Sequence, residues 1–413
     1  MPENVERPKL FGMDPRTGRW IFVILGLVIN LCCGSIYAWS VFAKPLEAQF
    51  HVGATESLLP FIVFLATFAL VMPFAGRPLD RYGPRLLTII GGIIVGIGWI
   101  LGSMATSMGM LSITYGLIGG AGVGIVYNCP IGVAGRWFPD RRGLAVGATV
   151  LGFGLSPLIT APLARQWIQI FGPLTTFGYF GGIFLVLIVL LALPLRFPPE
   201  GWKPQGWEPG RGGITTARDL PRNEMVRTRS FWGLWICYVI GTLAGLMAIG
   251  ISSSVGQEVF LLSAATAASF TGIFAIFNGI GRPIFGHLVD RAGPQRTAML
   301  SFLVIFLAAG VLALGAGTGL TAVYVIGFSA LWLCLGGWLA IAPACTGSFC
   351  GTKHYGPNYG LVFTAYGVGA ILGNLLAGRL RDLLGSYTAV FMPVAILAIA
   401  GMIIAYLTLR PPE

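Results

Sequence analysis

The chain has 413 residues, of which 55% are hydrophobic and only 10% are charged, and its mean hydropathy is +0.81. A soluble domain of this length would need far more polar surface, so the composition excludes one and indicates a polytopic helical membrane protein. The formal net charge is +11, but the basic residues are spread over short segments between apolar runs, which argues against a nucleic-acid partner.

Twelve apolar runs are long enough to cross a bilayer as helices. Their approximate bounds are 20–42, 55–76, 86–106, 109–134, 143–168, 173–196, 231–254, 265–288, 297–316, 319–346, 357–380 and 387–409. The longest polar stretch splits them into six and six. We therefore predict an N-terminal segment at 1–19, a six-helix bundle at 20–196, a linker at 197–230 and a second six-helix bundle at 231–409. An even number of spans places the first and last of them on one side of the membrane.

Lysine and arginine are distributed unevenly between the two sides that these spans define. The side that holds residues 1–19 and the linker carries most of them, and the other side has only Lys44, Arg165, Arg379 and Arg381. Because cytoplasmic segments carry the excess of positive charge, both termini and the linker are predicted to lie in the cytoplasm.

A polar motif follows span two and recurs after span eight. Five residues return at a constant spacing: Gly76, Asp80, Arg81, Gly83 and Pro84 as Gly286, Asp290, Arg291, Gly293 and Pro294. This pattern indicates two parallel repeats about an axis along the membrane normal, with a substrate site between them near mid-membrane. We expect the Asp-Arg pairs to tie neighbouring helices and bias the conformational equilibrium rather than touch a substrate.

Arg282 is a cation deep inside span eight. At about 1.5 Å per residue it lies roughly 8 Å from the midpoint of the apolar run 265–288. A charge at that depth costs on the order of 2.5–3.5 kcal/mol, and a guanidinium does not lose its proton in proteins. The same repeat places Met72 at the equivalent position, so the scaffold does not require a cation there. We predict a wet cavity that binds an anion at Arg282; the alternative is a side chain that snorkels to the nearer surface.

Other polar residues within the spans are candidates for the lining of this cavity. Asn278 precedes Arg282 by one turn and shares its helix face, so it can orient the guanidinium or contact the ligand, or else bond to a neighbouring helix. The remaining candidates, each of which also suits a packing role, are Asn30 and Tyr37 in span one, Tyr127 and Asn128 in span four, and Tyr366 in span eleven.

Enzymatic and metal-binding patterns are not found. The histidines, His51, His287 and His354, are scattered, and no Ser-His-Asp set can be assembled at membrane depth. The seven cysteines show neither metal-ligand nor redox spacing. We therefore predict no enzyme activity, no cofactor and no metal. Glycines crowd spans four, five and eleven, and their spacing favours close helix crossing.

The paired motifs and the six-plus-six plan resemble the major facilitator superfamily over essentially the whole chain. Three stretches, 34–42, 231–235 and 277–283, are similar to the bacterial oxalate/formate-antiporter-like group and the related monocarboxylate transporters. In that group the span-eight arginine binds the substrate carboxylate, and Arg282 matches it. The resemblance implies alternating-access transport of a small carboxylate across a bacterial inner membrane, by a protein that functions as a monomer surrounded by lipid.

The chain also departs from these families. Animal monocarboxylate transporters carry an Asp one turn before the arginine and a Lys in span one, whereas this chain has Asn278 and no Lys within 20–42. The oxalate transporter has a second cation in span eleven, where this chain has only Arg379, at the outer end. One buried cation suits one carboxylate, so we predict a monocarboxylate substrate such as lactate, pyruvate or formate. We predict that its transport is proton-coupled symport, although no acidic residue lies deep in a span to carry the proton. Anion exchange and a non-transporting carboxylate sensor stay open as alternatives.

Overall fold

The computed structural model describes residues 10–199, 202–204, 219–351 and 354–412. That part of the chain is almost entirely helical and contains no strand. Of the segments predicted at 1–19 and 197–230, residues 1–9, 200–201 and 205–218 lie outside the described part.

The first half of the chain forms helices α1 to α6. Helix α1 comprises Trp20–Cys33, a 3-10 turn at Gly34–Ala38, and Trp39–Phe50. Helices α2 and α3 lie before and after Gly83 within Ala54–Gly102. The others are α4 (Met108–Trp137), α5 (Arg142–Phe171) and α6 (Pro173–Ala192).

The second half forms helices α7 to α12. Their bounds are α7 (Arg229–Glu258), α8 (Ala264–Ala292), α9 (Pro294–Gly315), α10 (Thr321–Cys350), α11 (Tyr355–Leu384) and α12 (Phe391–Thr408). Eleven continuous helices of the described chain are long and apolar enough to cross a membrane. One of them, Ala54–Gly102, is about 74 Å long at 1.5 Å per residue, more than twice a bilayer core of about 30 Å, so it makes two passes. The predicted all-α membrane fold with twelve spans is confirmed.

Glycine explains why the polar motif recurs. Gly83 has φ 80° and ψ 167°, and Gly293 has φ 81° and ψ 160°. Residues with a Cβ rarely adopt this conformation, so each glycine lets the chain turn back between two passes. A proline follows each glycine and suits the first turn of the next helix, since its φ is already helical.

Several helix ends differ by four or more residues from the predicted bounds, and three of them have a clear physical reason. Helix α6 ends at Ala192 rather than 196, because Pro194 has no backbone N–H with which to continue the helical hydrogen bonds. Helices α1 and α7 continue to Phe50 and Glu258, beyond the apolar runs. Their last turns are polar, and a helix longer than the hydrocarbon core projects into the headgroup region.

Two helix pairs make the most extensive contacts between the two halves: α5 packs against α8, and α2 packs against α11. We call them the α5–α8 seam and the α2–α11 seam. The membrane face where α1 begins and α12 ends is called the terminal face, and the other is the opposite face. Small residues bring both seams close together, and side chains placed along them therefore lie between the halves.

An ion pair fixes the start of α1 on the terminal face. Arg19 donates to both carboxylate oxygens of Asp140, at 2.6 and 2.7 Å, and to the carbonyl of Trp137 at 3.1 Å. The hydrogen bond from Arg19 lowers the pKa of Asp140 below its ordinary value. This contribution to folding stability is present at neutral pH, and it is lost as the pH falls through the lowered pKa.

Candidate functional site

Arg282 lies in α8 at the α5–α8 seam and is only 8% exposed. Its Nη1 donates to the carbonyl of Val150 in α5 at 2.8 Å, and its Nη2 donates to Oδ1 of Asn278 at 3.4 Å. Its Nε has no hydrogen-bond partner among the described residues. Val150 is about 12 Å along α5 from that helix's first residue, so the guanidinium ends inside the protein rather than at a membrane face.

Asn278 connects Arg282 to a third helix. The side chain is fully buried, accepts from Arg282 through Oδ1, and donates through Nδ2 to the carbonyl of Trp332 in α10 at 3.3 Å. The structure thus combines two roles that the sequence left as alternatives, because the same amide orients the guanidinium and bonds to a neighbouring helix.

Gly154 in α5 faces the same two side chains. A Cβ at this position would lie 2.8 Å from Oδ1 of Asn278 and 3.3 Å from Nη2 of Arg282. The first distance is too short for a real contact, so only glycine leaves both groups where they are. The guanidinium edge formed by Nε and Nη2 therefore has one unpartnered donor and one long hydrogen bond, next to a position without a side chain.

An aromatic wall stands beside this edge. Phe153 in α5 contacts the rings of Tyr37, Tyr127 and Phe68, with centroids 5.0, 5.3 and 5.9 Å away. The Tyr127 hydroxyl lies close enough to interact with the Arg282 guanidinium, and Tyr37 also lies within its electrostatic reach.

A tyrosine pair closes the wall toward the second half. The hydroxyls of Tyr37 and Tyr366 are 2.6 Å apart, and this hydrogen bond joins α1 to α11. The structure therefore gathers three of the predicted tyrosines, Tyr37, Tyr127 and Tyr366, together with Asn278 and Arg282.

Two other candidates do not join this group. Asn30 is fully buried and donates to the carbonyl of Gly26 in its own helix at 3.0 Å. Asn128 is half-buried. Within the described chain, no hydrogen bond connects either residue to Arg282 or to the three tyrosines.

Several groups at the site have no signal in the sequence. The carbonyls of Val150 and Trp332 are backbone atoms, and their role depends on which helices pack together. Two further buried donors, Oη of Tyr238 and Nε1 of Trp332, lack a partner among the described residues. For Gly154 the sequence does carry a signal. Gly152 and Gly154 lie within an apolar span, where glycines indicate that two helices cross closely.

The two Asp-Arg motifs lie on the terminal face and differ in their contacts. Asp80 pairs with Arg136 of α4, and both side chains are largely exposed. Arg81 packs over the ring of Tyr82, 5.2 Å from its centroid. Asp290 and Arg291 are exposed and make no ion pair with any residue that the structure describes.

Charged contacts between the halves concentrate at the opposite face. Glu258 at the end of α7 pairs with Lys44 of α1 and with Arg381 of α11. Asp382 accepts from the backbone N–H groups of Ala54 and Thr55, at 2.8 and 2.9 Å, and so caps α2 from α11. Within the described ranges, the carboxylates of the membrane helices lie near helix ends and none contacts Arg282.

Comparison with known proteins gives relatives along nearly the whole chain. The family model described as Major Facilitator Superfamily matches residues 23–356. An oxalate:formate antiporter of Oxalobacter formigenes is 32% identical, over 95% of this chain and 94% of that protein. Monocarboxylate transporter 1 of Homo sapiens is 26% identical, over 98% of this chain and 88% of its own.

Solved structures show the same fold. A bacterial homologue of the human lysosomal transporter Spinster, in an inward-facing and unoccupied conformation, superposes with a TM-score of 0.70 over 95% of this chain and 96% of that one. Its sequence is 16% identical, so the likeness concerns the arrangement of helices and nothing finer.

Proposed function

This chain belongs to the major facilitator superfamily and is a membrane transporter, and we propose that it carries small monocarboxylates by alternating access, with Arg282 as the substrate-binding cation. The observation that carries the proposal is the buried guanidinium of Arg282 at the α5–α8 seam, whose Nε has no partner among the described residues. Buried charges need a partner, and an organic anion supplies one.

The geometry of the guanidinium suits a carboxylate. Arginine binds carboxylates through two parallel N–H groups of its planar fork, which is stronger and more directional than a single bond. In Arg282 the edge formed by Nε and Nη2 is the one available, because Nη1 is held by the Val150 carbonyl. We infer that the two substrate oxygens bind this edge, with Tyr127 close by.

The surroundings of Arg282 favour a single carboxylate on a short apolar body. The wall of Phe68, Phe153 and Tyr37 offers aromatic faces to such a body. Among the described residues, Arg282 is the cation that lies away from the ends of the membrane helices. A second carboxylate would be buried without a partner, which costs several kcal/mol per ion. Lactate, pyruvate and formate therefore fit better than oxalate.

Binding can be coupled to movement because the site lies between the halves. Arg282 in the second half bonds to Val150 in the first, so the contact must change when the halves move apart. A substrate that neutralises the cation in one arrangement more than in another shifts their populations by that difference in affinity. In this mechanism the two six-helix bundles, 20–196 and 231–409, move as units around the bound carboxylate.

Two coupling modes remain, exchange and proton symport. Exchange needs no titratable group, and the relative of 32% identity is named an oxalate:formate antiporter. Symport needs a proton carrier, yet the described carboxylates lie near helix ends, so the proton would have to travel on the substrate. We place exchange first and keep symport as the second candidate.

The orientation of the protein in the membrane is inferred from the distribution of its lysine and arginine residues. We propose that the terminal face is cytoplasmic, since it carries most of the lysine and arginine, and that the membrane is the inner membrane of a bacterium. One chain holds the whole site, so a monomer is sufficient for transport.

Uptake of radiolabelled formate, lactate and oxalate into proteoliposomes tests this function. Exchange predicts uptake only into vesicles preloaded with a carboxylate, whereas symport predicts uptake into empty vesicles under an inward proton gradient. Oxalate should compete with formate far less well than unlabelled formate does. Binding of these anions with no flux in either condition would contradict transport and favour a sensor.

A further inference from the structure

A separate cavity opens on the opposite face, between the two halves. Its volume is about 280 Å³, and its lining residues are Val41, Lys44 and Pro45 of α1, Arg165 of α5, Ser253 and Gln257 of α7, and Ala264 of α8. We call it the outer vestibule. At its inner end the hydroxyls of Ser40 and Ser252 are 3.0 Å apart and join α1 to α7.

The two cations of the outer vestibule differ in how their charge is compensated. Lys44 pairs with Glu258 and also lies 3.2 Å from a carboxylate oxygen of Glu47. Arg165 makes no ion pair with any described residue, and its Nε is buried without a hydrogen-bond partner. The vestibule therefore contains one uncompensated, partly buried guanidinium, which is the feature that makes Arg282 a candidate anion site.

Arg165 also lies on the route that a substrate of Arg282 would take. Arg165 and Val150 belong to the same helix, and fifteen residues at 1.5 Å each place them about 22 Å apart along α5. The Val150 carbonyl is the group that holds Arg282. The two arginines thus stand at an outer and an inner position along one side of the space between the halves.

We propose that the outer vestibule is a loading site, where Arg165 binds the carboxylate of an incoming substrate before the Ser40–Ser252 contact opens. The proposal rests on the proposed function, since the cargo is taken to be a carboxylate. Lys44 and Gln257 also line the cavity, but their N–H groups already donate to Glu258 and Ser253, which leaves Arg165 as the cation available to an anion. A fixed cation in a partly desolvated cleft raises the local concentration of anions and their association rate, and this effect weakens with salt.

Arg165→Gln and Arg379→Gln form a matched pair of variants. Both remove one positive charge from the opposite face, but Arg379 is exposed at the end of α11 and does not line the vestibule. We expect Arg165→Gln to raise the external formate concentration for half-maximal exchange by about threefold or more, with less difference from wild type at high salt. Arg379→Gln should stay within about 1.5-fold of wild type, since a fully solvated charge steers weakly.

A binding measurement separates this proposal from the function itself. Phenylglyoxal modifies accessible arginine side chains, and mass spectrometry of sealed, right-side-out proteoliposomes reports how much Arg165 reacts. External formate should protect Arg165 in the wild type and equally in Arg282→Ala, which lacks the inner cation. Protection of Arg165 by formate in a wild type that transports no carboxylate would support the vestibule while removing the proposed function.

Lipid is the other source of anions at this face. The same assay in phosphatidylcholine vesicles and in vesicles with phosphatidylglycerol distinguishes the two sources. Protection by phosphatidylglycerol without any effect of formate would overturn the proposal in favour of a lipid site. Equal transport shifts in Arg165→Gln and Arg379→Gln, or no protection by formate in a wild type that transports it, would overturn it as well.

Discussion

The α5–α8 seam and the α2–α11 seam occupy related positions in the two repeats, yet only the α5–α8 seam has a charged side chain, Arg282, away from the helix ends. Gly154 in α5 and Gly367 in α11 lie equally far from the starts of their helices. Gly154 faces Asn278 and Arg282, whereas a Cβ on Gly367 would lie 2.8 Å from Cβ of Ala69. Both seams need a close approach of backbones, so the glycines belong to the architecture. The buried charge of Arg282 does not, and this is why we propose a functional role for it.

The repeat sharpens this difference residue by residue. Its constant spacing carries Arg282 back to Met72 and Asn278 back to Phe68, and both of these apolar residues are buried. Phe68 contributes to the aromatic wall instead. Equivalent positions thus carry polar side chains in the second half, Asn278 and Arg282, and apolar ones in the first, Phe68 and Met72. This difference suits a ligand with a charged end and an organic body.

Among the variants that compare the two halves, Arg282→Ala should reduce formate exchange the most. It removes the proposed partner of the carboxylate, so we expect at least a hundredfold loss of formate exchange in proteoliposomes with near-normal amounts of folded protein. Arg282→Lys should recover little, because an ammonium lacks the planar fork. Met72→Ala, the matched change in the other half, should retain most of the exchange rate. Substantial transport by Arg282→Ala would remove Arg282 from the site.

Gly154→Ala and Gly367→Ala compare the two seams directly. The new methyl group on residue 154 would displace Asn278 or Arg282, so we expect formate to bind about tenfold more weakly, or about 1.4 kcal/mol. The methyl group on residue 367 meets only Ala69 and the backbone near it, and should slow turnover while leaving affinity unchanged. Equilibrium binding and maximal exchange rate, measured separately for each variant, give the result. Equal losses of affinity would show that both glycines act only through packing.

Asn278→Ala should have a smaller effect, because it removes two long hydrogen bonds, one from Arg282 at 3.4 Å and one to the Trp332 carbonyl at 3.3 Å, and leaves the cation in place. We expect binding to weaken by about 0.5–1.5 kcal/mol, with the pH profile of uptake unchanged. Asn278→Asp should compete with the substrate for Arg282 and make binding more acid-dependent. Asn30→Ala is the control, as Asn30 bonds within α1. Initial uptake between about pH 5 and 8 tests all three variants, and a shifted profile in Asn278→Ala would place Asn278 in a proton pathway.

Asp80→Asn and Asp290→Asn should show the smallest effects. Asp80 loses its pairing with Arg136, and exposed pairs contribute less than about 1 kcal/mol. Asp290→Asn breaks no ion pair with a described residue, so the temperature at which this variant unfolds should match that of the wild type. If both motifs gate the transporter, the ratio of inward to outward exchange rates will change in both variants even though stability changes in neither. An unchanged ratio in both would confine the motifs to a structural role.

The sequence by itself determined the properties that depend on local composition. Apolar runs located the twelve spans, and the repeated Gly-Pro sequence marked the turns at Gly83 and Gly293. Arg282 was identifiable as a buried cation because depth along a helix follows from position in the run. Asn278 could then be predicted as its neighbour, since residues four apart share one helix face.

Only the tertiary structure decided which groups meet across helices. Val150 presents a backbone carbonyl, which every residue carries, so nothing in the sequence distinguishes it until α5 packs on α8. Tyr37 and Tyr366 lie 329 residues apart in the sequence, and their hydroxyls meet only because the fold brings the two side chains together between α1 and α11. Asn30 and Asn128 have the depth and polarity of site residues, but in the described chain neither forms a hydrogen bond with Arg282. Depth follows from the order of residues in a span, whereas the direction that a side chain faces depends on how the helices are rotated against one another, and packing alone sets that rotation.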